Sequence, residues 1–87
     1  MSQRRFTFDD LRTILREAAG LAEESVGDDA LDTPFEELGL ESLAVLETGS
    51  RIEREYGITL DDSYLTEVKT PRALLEIVNE ELGAAAA

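Results

Sequence analysis

The segment GLESLAVLETGSRIEREYG, residues 39–57, decides the fold, because its apolar residues recur at helical spacing and a glycine closes it. Intervals of four, three and four separate the members of one stripe: Val45, Gly49, Ile52 and Tyr56. That spacing is typical of the buried face of an α-helix, and Gly57 is placed to end the helix. The segment therefore predicts a helix over residues 42–56, in which Gly49 allows another element to approach closely.

A first helix is predicted near the beginning of the chain. Thr7 and Asp10 resemble a capping box, in which each side chain binds the other residue's backbone amide. Apolar residues then follow at helical spacing, as in Leu11, Ile14, Leu15 and Ala18. We place this helix at about residues 7–19 and leave open an extension to Glu24.

Two more helices are predicted in the last third of the chain. The adjacent acids Asp61 and Asp62 are typical caps and start a short helix that ends at about Val68. Thr70 followed by Pro71 is the clearest helix start in the sequence, since proline favours the first helical position. The apolar residues that follow recur at helical spacing and predict a final helix.

The residues between the first and second helices predict a long loop. Over residues 26–41 the periodicity dissolves, and a loop of this length usually has a function. Its apolar members, which we expect to pack against the helices, are Leu31, Phe35, Leu38 and Leu40. The prediction is an all-α fold, a small four-helix bundle of three longer helices and one short helix, with this long loop between helices 1 and 2. It forms a single domain over residues 1–87, structured at about 7–83, with a tail at 84–87.

Charge and composition exclude several classes of function. The chain of 87 residues carries 20 acidic and 8 basic residues, a net charge of −12, so nucleic-acid phosphates are repelled and basic partners attracted. It contains no cysteine and no histidine, which excludes Ser-His-Asp and Cys-His catalysis and thiolate metal sites. We expect no enzyme activity, no metal, no nucleic-acid partner, no signal peptide and no membrane span, and hence a cytoplasmic protein.

The second predicted helix has a further face outside the buried stripe. Leu43 and Leu46 are rotated away from that stripe, and their neighbours are polar or charged: Glu47, Ser50, Glu53 and Arg54. Exposed leucines among carboxylates suit protein docking, with apolar contact for affinity and charge for steering. The alternative is that both leucines pack under the long loop, and the periodicity does not decide between the two.

Ser42 opens the second helix, where a serine is most often a plain N-cap. The position also offers chemistry, because the positive end of a helix and its free amide groups favour a phosphodiester. A hydroxyl between a loop and a helix is accessible to another enzyme. Such an enzyme would supply the base for a reaction on this serine, which agrees with a chain that lacks histidine and cysteine.

Three stretches of the sequence resemble the acyl carrier protein family: residues 35–47, 51–58 and 69–75. The first, FEELGLESLAVLE, is similar to the family's modification site, in which the serine directly before a leucine receives 4′-phosphopantetheine. The resemblance implies that Ser42 holds this arm covalently, transferred from coenzyme A, and that the protein is a carrier and not a catalyst. The sequence departs from the family at Glu41, where aspartate is usual. Glutamate keeps the charge and is one methylene longer, so we expect at most weaker recognition by a given transferase and no loss of the function.

The resemblance also implies docking residues and a pathway. Glu47 and Glu53 match acidic positions that dock partner enzymes, and with Glu41, Leu43 and Leu46 they form the expected docking set. Arg54 falls where many relatives are acidic. The chain looks most like the stand-alone carriers of type II (aromatic) polyketide synthases. The implied partners of this monomeric carrier are a phosphopantetheinyl transferase, a ketosynthase with its chain-length factor, a malonyl-loading acyltransferase, and ketoreductase or cyclase tailoring enzymes.

A contact with the carried chain is predicted on the last helix. Arg72 and Asn79 share one side of that helix with leucines, and both donate hydrogen bonds. The carbonyl groups of a poly-β-keto chain accept such bonds, whereas a saturated chain leaves the donors unpaired at a cost of about 1–3 kcal/mol each. The alternative is that Arg72 pairs with a nearby acid and Asn79 faces water.

Two other functions fit parts of the same pattern. Within the family, a fatty-acid synthesis carrier is the main rival, and a peptidyl carrier fits less well because those domains are usually less acidic. From a different class, the chain is also interpretable as an unmodified acidic module that binds a basic protein. In that case replacement of Ser42 by alanine would be silent in every assay of function.

Overall fold

A computed structural model describes residues 5–21 and 26–86 of the chain. Within them the backbone forms four α-helices and no strand: α1 (Phe8–Ala19), α2 (Ser42–Tyr56), α3 (Asp62–Glu67) and α4 (Pro71–Ala86). Two 3₁₀ helices, Asp28–Asp32 and Phe35–Leu38, lie in the long loop between α1 and α2. The predicted all-α fold of three longer helices and one short helix is confirmed.

Local chemistry sets both ends of α1. The Thr7 amide donates to Asp10 Oδ2 at 3.0 Å, and the Asp10 amide donates to Thr7 Oγ1 at 3.2 Å, which is the predicted capping box. Gly20 follows the helix with a φ of 73°, a conformation that favours glycine. The helix therefore ends at Ala19 and does not continue through Gly20; Glu24, to which an extension was left open, lies outside the described residues.

The starts of α3 and α4 also follow the predicted caps. Asp61 Oδ1 accepts a hydrogen bond from the Ser63 amide at 2.9 Å, and Thr70 Oγ1 accepts one from the Ala73 amide at 3.2 Å. At the other end α4 continues through Ala86, beyond the predicted structured range. Alanine is the best helix former, so the last turns remain helical where a tail was predicted.

One core joins all four helices, the loop and the N-terminal segment. Its buried apolar side chains are Phe6, Leu11, Ile14, Leu15, Val26, Ala30, Phe35, Leu40, Val45, Ile52, Leu60, Leu65, Val68, Leu74 and Val78. The predicted close approach at Gly49 is confirmed, because an added Cβ there would lie 2.6 Å from Cδ1 of Leu65. The short helix α3 therefore packs directly on the backbone of α2.

Two contacts connect the long loop to the last third of the chain. The Phe35 amide donates to the Lys69 carbonyl at 2.7 Å, next to the start of α4. Asp32 accepts two hydrogen bonds from Arg72 on α4. No helix among residues 5–21 and 26–86 combines the length and the apolar character needed to cross a bilayer.

Candidate functional site

Ser42 lies where the long loop turns into α2. Gly39 makes the turn with a φ of 85°, and the Leu40 amide then donates to the Phe35 carbonyl at 2.9 Å. Leu40 and Val45, on either side of the serine, are both buried in the core. These neighbours fix the backbone, while the Ser42 side chain itself is exposed.

Ser42 is the first helical residue and not the N-cap. The N-cap is Glu41, whose side chain makes no capping hydrogen bond, so the interpretation of Ser42 as a plain cap is wrong. The first helical bond runs from the Val45 amide to the Glu41 carbonyl at 3.1 Å. The amides before Val45 belong to the positive end of the helix, where donors lack helical acceptors. The Ser42 hydroxyl thus lies beside donors suited to a phosphate ester.

An open groove of about 770 Å³ begins beside Ser42 and runs between the long loop, α2 and α3. Apolar side chains supply part of its wall: Leu40, Leu43, Val45, Leu65 and Val68. Among the described residues that line it, Lys69 is the one cation. The exposed hydroxyl at the helix start could be linked to a phosphodiester. The neighbouring groove, which has polar and apolar walls, fits a flexible arm that contains amide groups. Neither α3 nor Lys69 was predicted to border the site, because only the folded chain brings α3 to α2.

The two leucines on the outer side of α2 differ in exposure. Leu43 is 66% exposed, which agrees with the docking interpretation. Leu46 is half-buried and packs against the core, so less of its side chain is available to a partner. Glu41, the N-cap of α2, and Glu47, on the helix itself, are both exposed, and their carboxylates are available to a partner.

Glu53 has a structural contact that the sequence did not indicate. It is half-buried, and its carboxylate accepts a hydrogen bond from the Leu60 amide at 2.8 Å. Glu53 thereby holds the connector between α2 and α3 against α2. The other carboxylate oxygen can still accept a hydrogen bond from a partner. In the predicted docking role, Glu53 would therefore bind with a side chain that the fold already holds in place.

Arg72 pairs with an acid of the long loop. Its guanidinium donates to Asp32 Oδ1 at 2.7 Å and to Asp32 Oδ2 at 3.1 Å, with both side chains largely exposed. These hydrogen bonds lower the pKa of Asp32 and raise the pKa of Arg72. The arrangement matches the alternative weighed for Arg72, pairing with a nearby acid.

Asn79 binds the backbone of the N-terminal segment. Both protons of its amide are donated, one to the Phe6 carbonyl at 2.9 Å and one to the Leu75 carbonyl at 3.0 Å. Its Oδ1 accepts from the Phe6 amide at 2.8 Å. Asn79 is therefore half-buried and bonded, where the alternative had it facing water. It lines one groove together with Arg72, and a contact with a carried chain, which stays a prediction, would have to replace one of these bonds.

Through Phe6, Asn79 is connected to the last residue of α2. Phe6, its partner, makes an edge-on ring contact with Tyr56 at a centroid distance of 5.1 Å, and Tyr56 is the last residue of α2. Ser42 is the first residue of that helix, whose 15 residues span about 22 Å at about 1.5 Å per residue. The bonds between Asn79 and Phe6 thus join the middle of α4 to the end of α2 that lies away from Ser42.

Comparisons with known proteins agree with this geometry. A family model described as a phosphopantetheine attachment site matches residues 9–85. The monensin polyketide synthase acyl carrier protein of Streptomyces virginiae is 60% identical over 85 residues, covering 98% of this chain and 97% of that protein. The oxytetracycline polyketide synthase acyl carrier protein of Streptomyces rimosus is 50% identical over 78 residues, covering 87% and 81%.

A solved structure is similar along nearly the whole backbone. It is the solution structure of 3-oxo-butyl-ACP, an intermediate mimic from the actinorhodin polyketide synthase of Streptomyces coelicolor. It matches with a TM-score of 0.87 and 40% identity, over 97% of this chain and 99% of that chain. The comparison of sequences and the comparison of backbones therefore both find polyketide synthase acyl carrier proteins similar to this chain.

Proposed function

This chain belongs to the acyl carrier protein family, and from that membership we propose that Ser42 is the residue that holds the 4′-phosphopantetheine arm. The protein carries polyketide intermediates as thioesters on this arm, and the resemblance to polyketide carriers replaces the fatty-acid alternative. The observation that carries the assignment to Ser42 is its exposed hydroxyl at the first position of α2, beside the groove.

The attachment needs little from the chain itself. The Ser42 oxygen forms a bond to the phosphorus that bears pantetheine, the pyrophosphate bond of coenzyme A breaks, and adenosine 3′,5′-bisphosphate leaves. The hydroxyl proton passes to a base of the transferase, since this chain has no histidine. Its own contribution is to present the hydroxyl on a fixed backbone and to place helix amides near the new phosphodiester.

Once attached, the arm supplies a terminal thiol that forms thioesters. The residues of this chain then have two tasks. The groove between the loop, α2 and α3 gives the arm an apolar wall while it is not delivering its cargo. Leu43 and the exposed acids Glu41 and Glu47 offer a surface for enzymes that must reach Ser42, with Glu53 and the half-buried Leu46 behind them.

We extend the proposal to particular partners. Acyl carrier proteins of polyketide synthases, to which this chain is similar, act with the other components of their synthase. For this chain we expect a phosphopantetheinyl transferase, a ketosynthase with its chain-length factor, a malonyl-loading acyltransferase and ketoreductase or cyclase enzymes. The family is a carrier family, and we assign this chain no catalytic step of its own. We also propose that the protein is a monomer and that it acts in the cytoplasm, where coenzyme A is available to the transferase.

Intact mass spectrometry tests the attachment site directly. The protein is incubated with coenzyme A, magnesium and a broad-specificity phosphopantetheinyl transferase, and Ser42→Ala is treated in parallel. Ser50→Ala is the matched control, because Ser50 is an exposed serine of the same helix. We expect the wild type and Ser50→Ala to gain one phosphopantetheine and Ser42→Ala to gain none. A gain that survives in Ser42→Ala would overturn the assignment.

Loading tests the pathway separately. The modified protein is offered to a ketosynthase and chain-length factor pair of a type II polyketide synthase, and to a fatty-acid synthase ketosynthase. We expect extension by the polyketide pair at a rate well above that of the fatty-acid enzyme. Equal or preferential use by the fatty-acid enzyme would restore the fatty-acid alternative. No modification of folded protein by several transferases would restore the unmodified acidic module.

A further inference from the structure

The charged side chains that line the groove beside Ser42 are unequal in sign. Among the described residues of its wall, Glu36 and Glu41 are acidic, Lys69 is basic, and all three are exposed. The whole chain carries a net charge of −12, so the wider surroundings are acidic as well. Of these three side chains, only Lys69 attracts a negative charge that enters the groove, and both carboxylates repel it.

Backbone hydrogen bonds fix Lys69 relative to the attachment site. The Lys69 carbonyl accepts from the Phe35 amide at 2.7 Å, and the Phe35 carbonyl accepts from the Leu40 amide at 2.9 Å. Leu40 is buried and precedes Ser42 by two residues. Two hydrogen bonds thus connect the backbone of Lys69 to the segment that leads into Ser42, and the exposed Lys69 side chain extends from this fixed point at the wall of the groove.

The ammonium group of Lys69 is available for a ligand. Within residues 5–21 and 26–86 it forms no ion pair and no hydrogen bond. Arg51 and Arg72, by contrast, both form ion pairs with acids of this chain. An ammonium group donates up to three hydrogen bonds, so Lys69 offers a positive charge and several donors to an anion in the groove.

The arm proposed at Ser42 brings anionic oxygens to this groove. Its phosphodiester carries a negative charge at the serine, and a malonyl unit, the cargo of the proposed acyltransferase, adds a carboxylate at the thiol end. An acetyl unit adds no charge. Without Lys69, both anions would face a wall whose described charged side chains are all acidic.

We propose that Lys69 binds an anionic oxygen group of the loaded arm and thereby keeps the arm in the groove. The inference rests on the proposed function, because only attachment at Ser42 brings the arm there. Lys69 offsets the repulsion by Glu36 and Glu41, so the arm can pack on the apolar part of the wall. If the bound anion is the phosphodiester, every cargo is held alike. If it is the malonyl carboxylate, Lys69 holds the malonyl unit in preference to uncharged cargo.

NMR of the lysine side chain tests the proposal. Lys69 is the only lysine of the chain, so its ε-methylene signal is identified without ambiguity. The signal is recorded for the apo protein, for the phosphopantetheinylated protein, and for protein whose arm carries a malonyl or an acetyl unit through an amide in place of the thioester. Backbone amide shifts of Thr66 and Val68, which line the groove, report the ratio of docked to free arm.

The four forms distinguish the two anions. We expect the Lys69 signal to shift on attachment of the arm itself if the phosphodiester is bound, and to shift with malonyl but not with acetyl if the carboxylate is bound. High salt should reduce either shift, because an exposed ion pair is screened. A Lys69 signal that is the same in all four forms overturns the proposal, and so does a shift that high salt leaves unchanged.

Variants test whether the charge of Lys69 is responsible. In Lys69→Gln we expect the ratio of docked to free arm to fall about 1.5- to 5-fold, the range of one exposed ion pair, and in Lys69→Arg to stay near the wild-type value. Arg54→Gln is the matched control, because it removes the positive charge of an exposed residue that does not line the groove. An equal fall in Lys69→Gln and Arg54→Gln overturns the proposal, because net charge would then set the ratio.

Intact mass and circular dichroism separate this inference from the proposed function. Every form is checked for one attached arm and for its helical content. Normal attachment with an unresponsive Lys69 signal rejects the inference while the proposed function stands. A folded wild type that several transferases fail to modify rejects both.

Discussion

The side chain of Asn79 pairs with the backbone of Phe6 in both directions. Asn79 Oδ1 accepts from the Phe6 amide at 2.8 Å, and Asn79 Nδ2 donates to the Phe6 carbonyl at 2.9 Å. The residues are 73 positions apart, and Phe6 is only 1% exposed. One amide side chain therefore satisfies both polar groups of a buried residue and connects the N-terminal segment to α4.

Replacement of Asn79 by leucine should loosen the N-terminal segment. The variant leaves the Phe6 amide and carbonyl without their partner, at about 1–3 kcal/mol for each buried group. We expect the free energy of unfolding to fall by about 2–6 kcal/mol on that basis, together with faster hydrogen exchange at the Phe6 amide. Urea unfolding and exchange measured by NMR give the two values. Glu80→Gln, on an exposed neighbour, should change neither, and equal exchange rates in Asn79→Leu and wild type would contradict the role of the pair.

A methyl group at position 49 should displace α3. In Gly49→Ala the new Cβ would lie 2.6 Å from Cδ1 of Leu65, which is buried. Overpacking of this kind costs about 1–3 kcal/mol. That cost exceeds the gain of about 1 kcal/mol from the higher helix propensity of alanine. We expect a modest net loss of stability and NMR shift changes over α3. A double-mutant cycle with Leu65→Ala isolates the contact: the double variant should be more stable than additivity by about 0.5–3 kcal/mol. Strict additivity would show that the two residues do not collide.

Removal of the Arg72 guanidinium should raise the pKa of Asp32. Hydrogen bonds from Arg72 hold that pKa below its ordinary value in the wild type. Because the folded-state pKa is lowered, the contact stabilises the fold above the ordinary pKa and is lost as the pH falls through the lowered pKa. An NMR titration of the Asp32 carboxyl carbon should move toward the ordinary value in Arg72→Leu and stay unchanged in Arg5→Leu. Identical Asp32 titrations in wild type and Arg72→Leu would contradict the pairing.

The variant Arg72→Leu also tests the contact predicted with the carried chain. Arg72 is exposed despite its ion pair, so its remaining donors are open to a polyketide carbonyl group, whereas those of Asn79 are not. If Arg72 binds the chain, the chemical shifts and the lifetime of a tethered polyketide change in Arg72→Leu. If both stay as in the wild type, Arg72 acts only through Asp32.

Local sequence signals predicted most of the helices. The ends of α2 followed from a stripe of period 3.6 and from Gly57, and three helix starts followed from side chains that bind nearby amides. Each of these signals acts within four residues, so it is visible in the sequence itself. The 3₁₀ helices of the loop were not predicted, because their turns depend on contacts such as that between Phe35 and Lys69.

For the candidate site, the sequence predicted features that depend on the position of a single residue and not those that depend on several packed elements. The exposure of Ser42 followed from its position between the loop and α2, whereas the exposure of Leu43 was one of two alternatives that the periodicity left open. The groove was not predictable, since it requires α3 to pack against Gly49. The same limit applies to Asn79, whose side chain looked like a free donor until the fold placed Phe6 beside it.

Shortening Glu41 to aspartate should strengthen the start of α2. Glu41 is the N-cap, but its side chain makes no capping bond, whereas aspartate is among the best N-cap residues because its carboxylate reaches the second or third helical amide. We expect Glu41→Asp to raise the free energy of unfolding by up to about 1 kcal/mol and to be modified by the transferase at least as fast as the wild type. Glu41→Gln keeps the length and removes the charge, so it should gain no stability and should be modified more slowly if the negative charge is recognised. Thermal unfolding and the initial rate of mass gain separate the two effects. If Glu41→Asp were no more stable than Glu41→Gln, the missing cap at this helix start would have no energetic consequence.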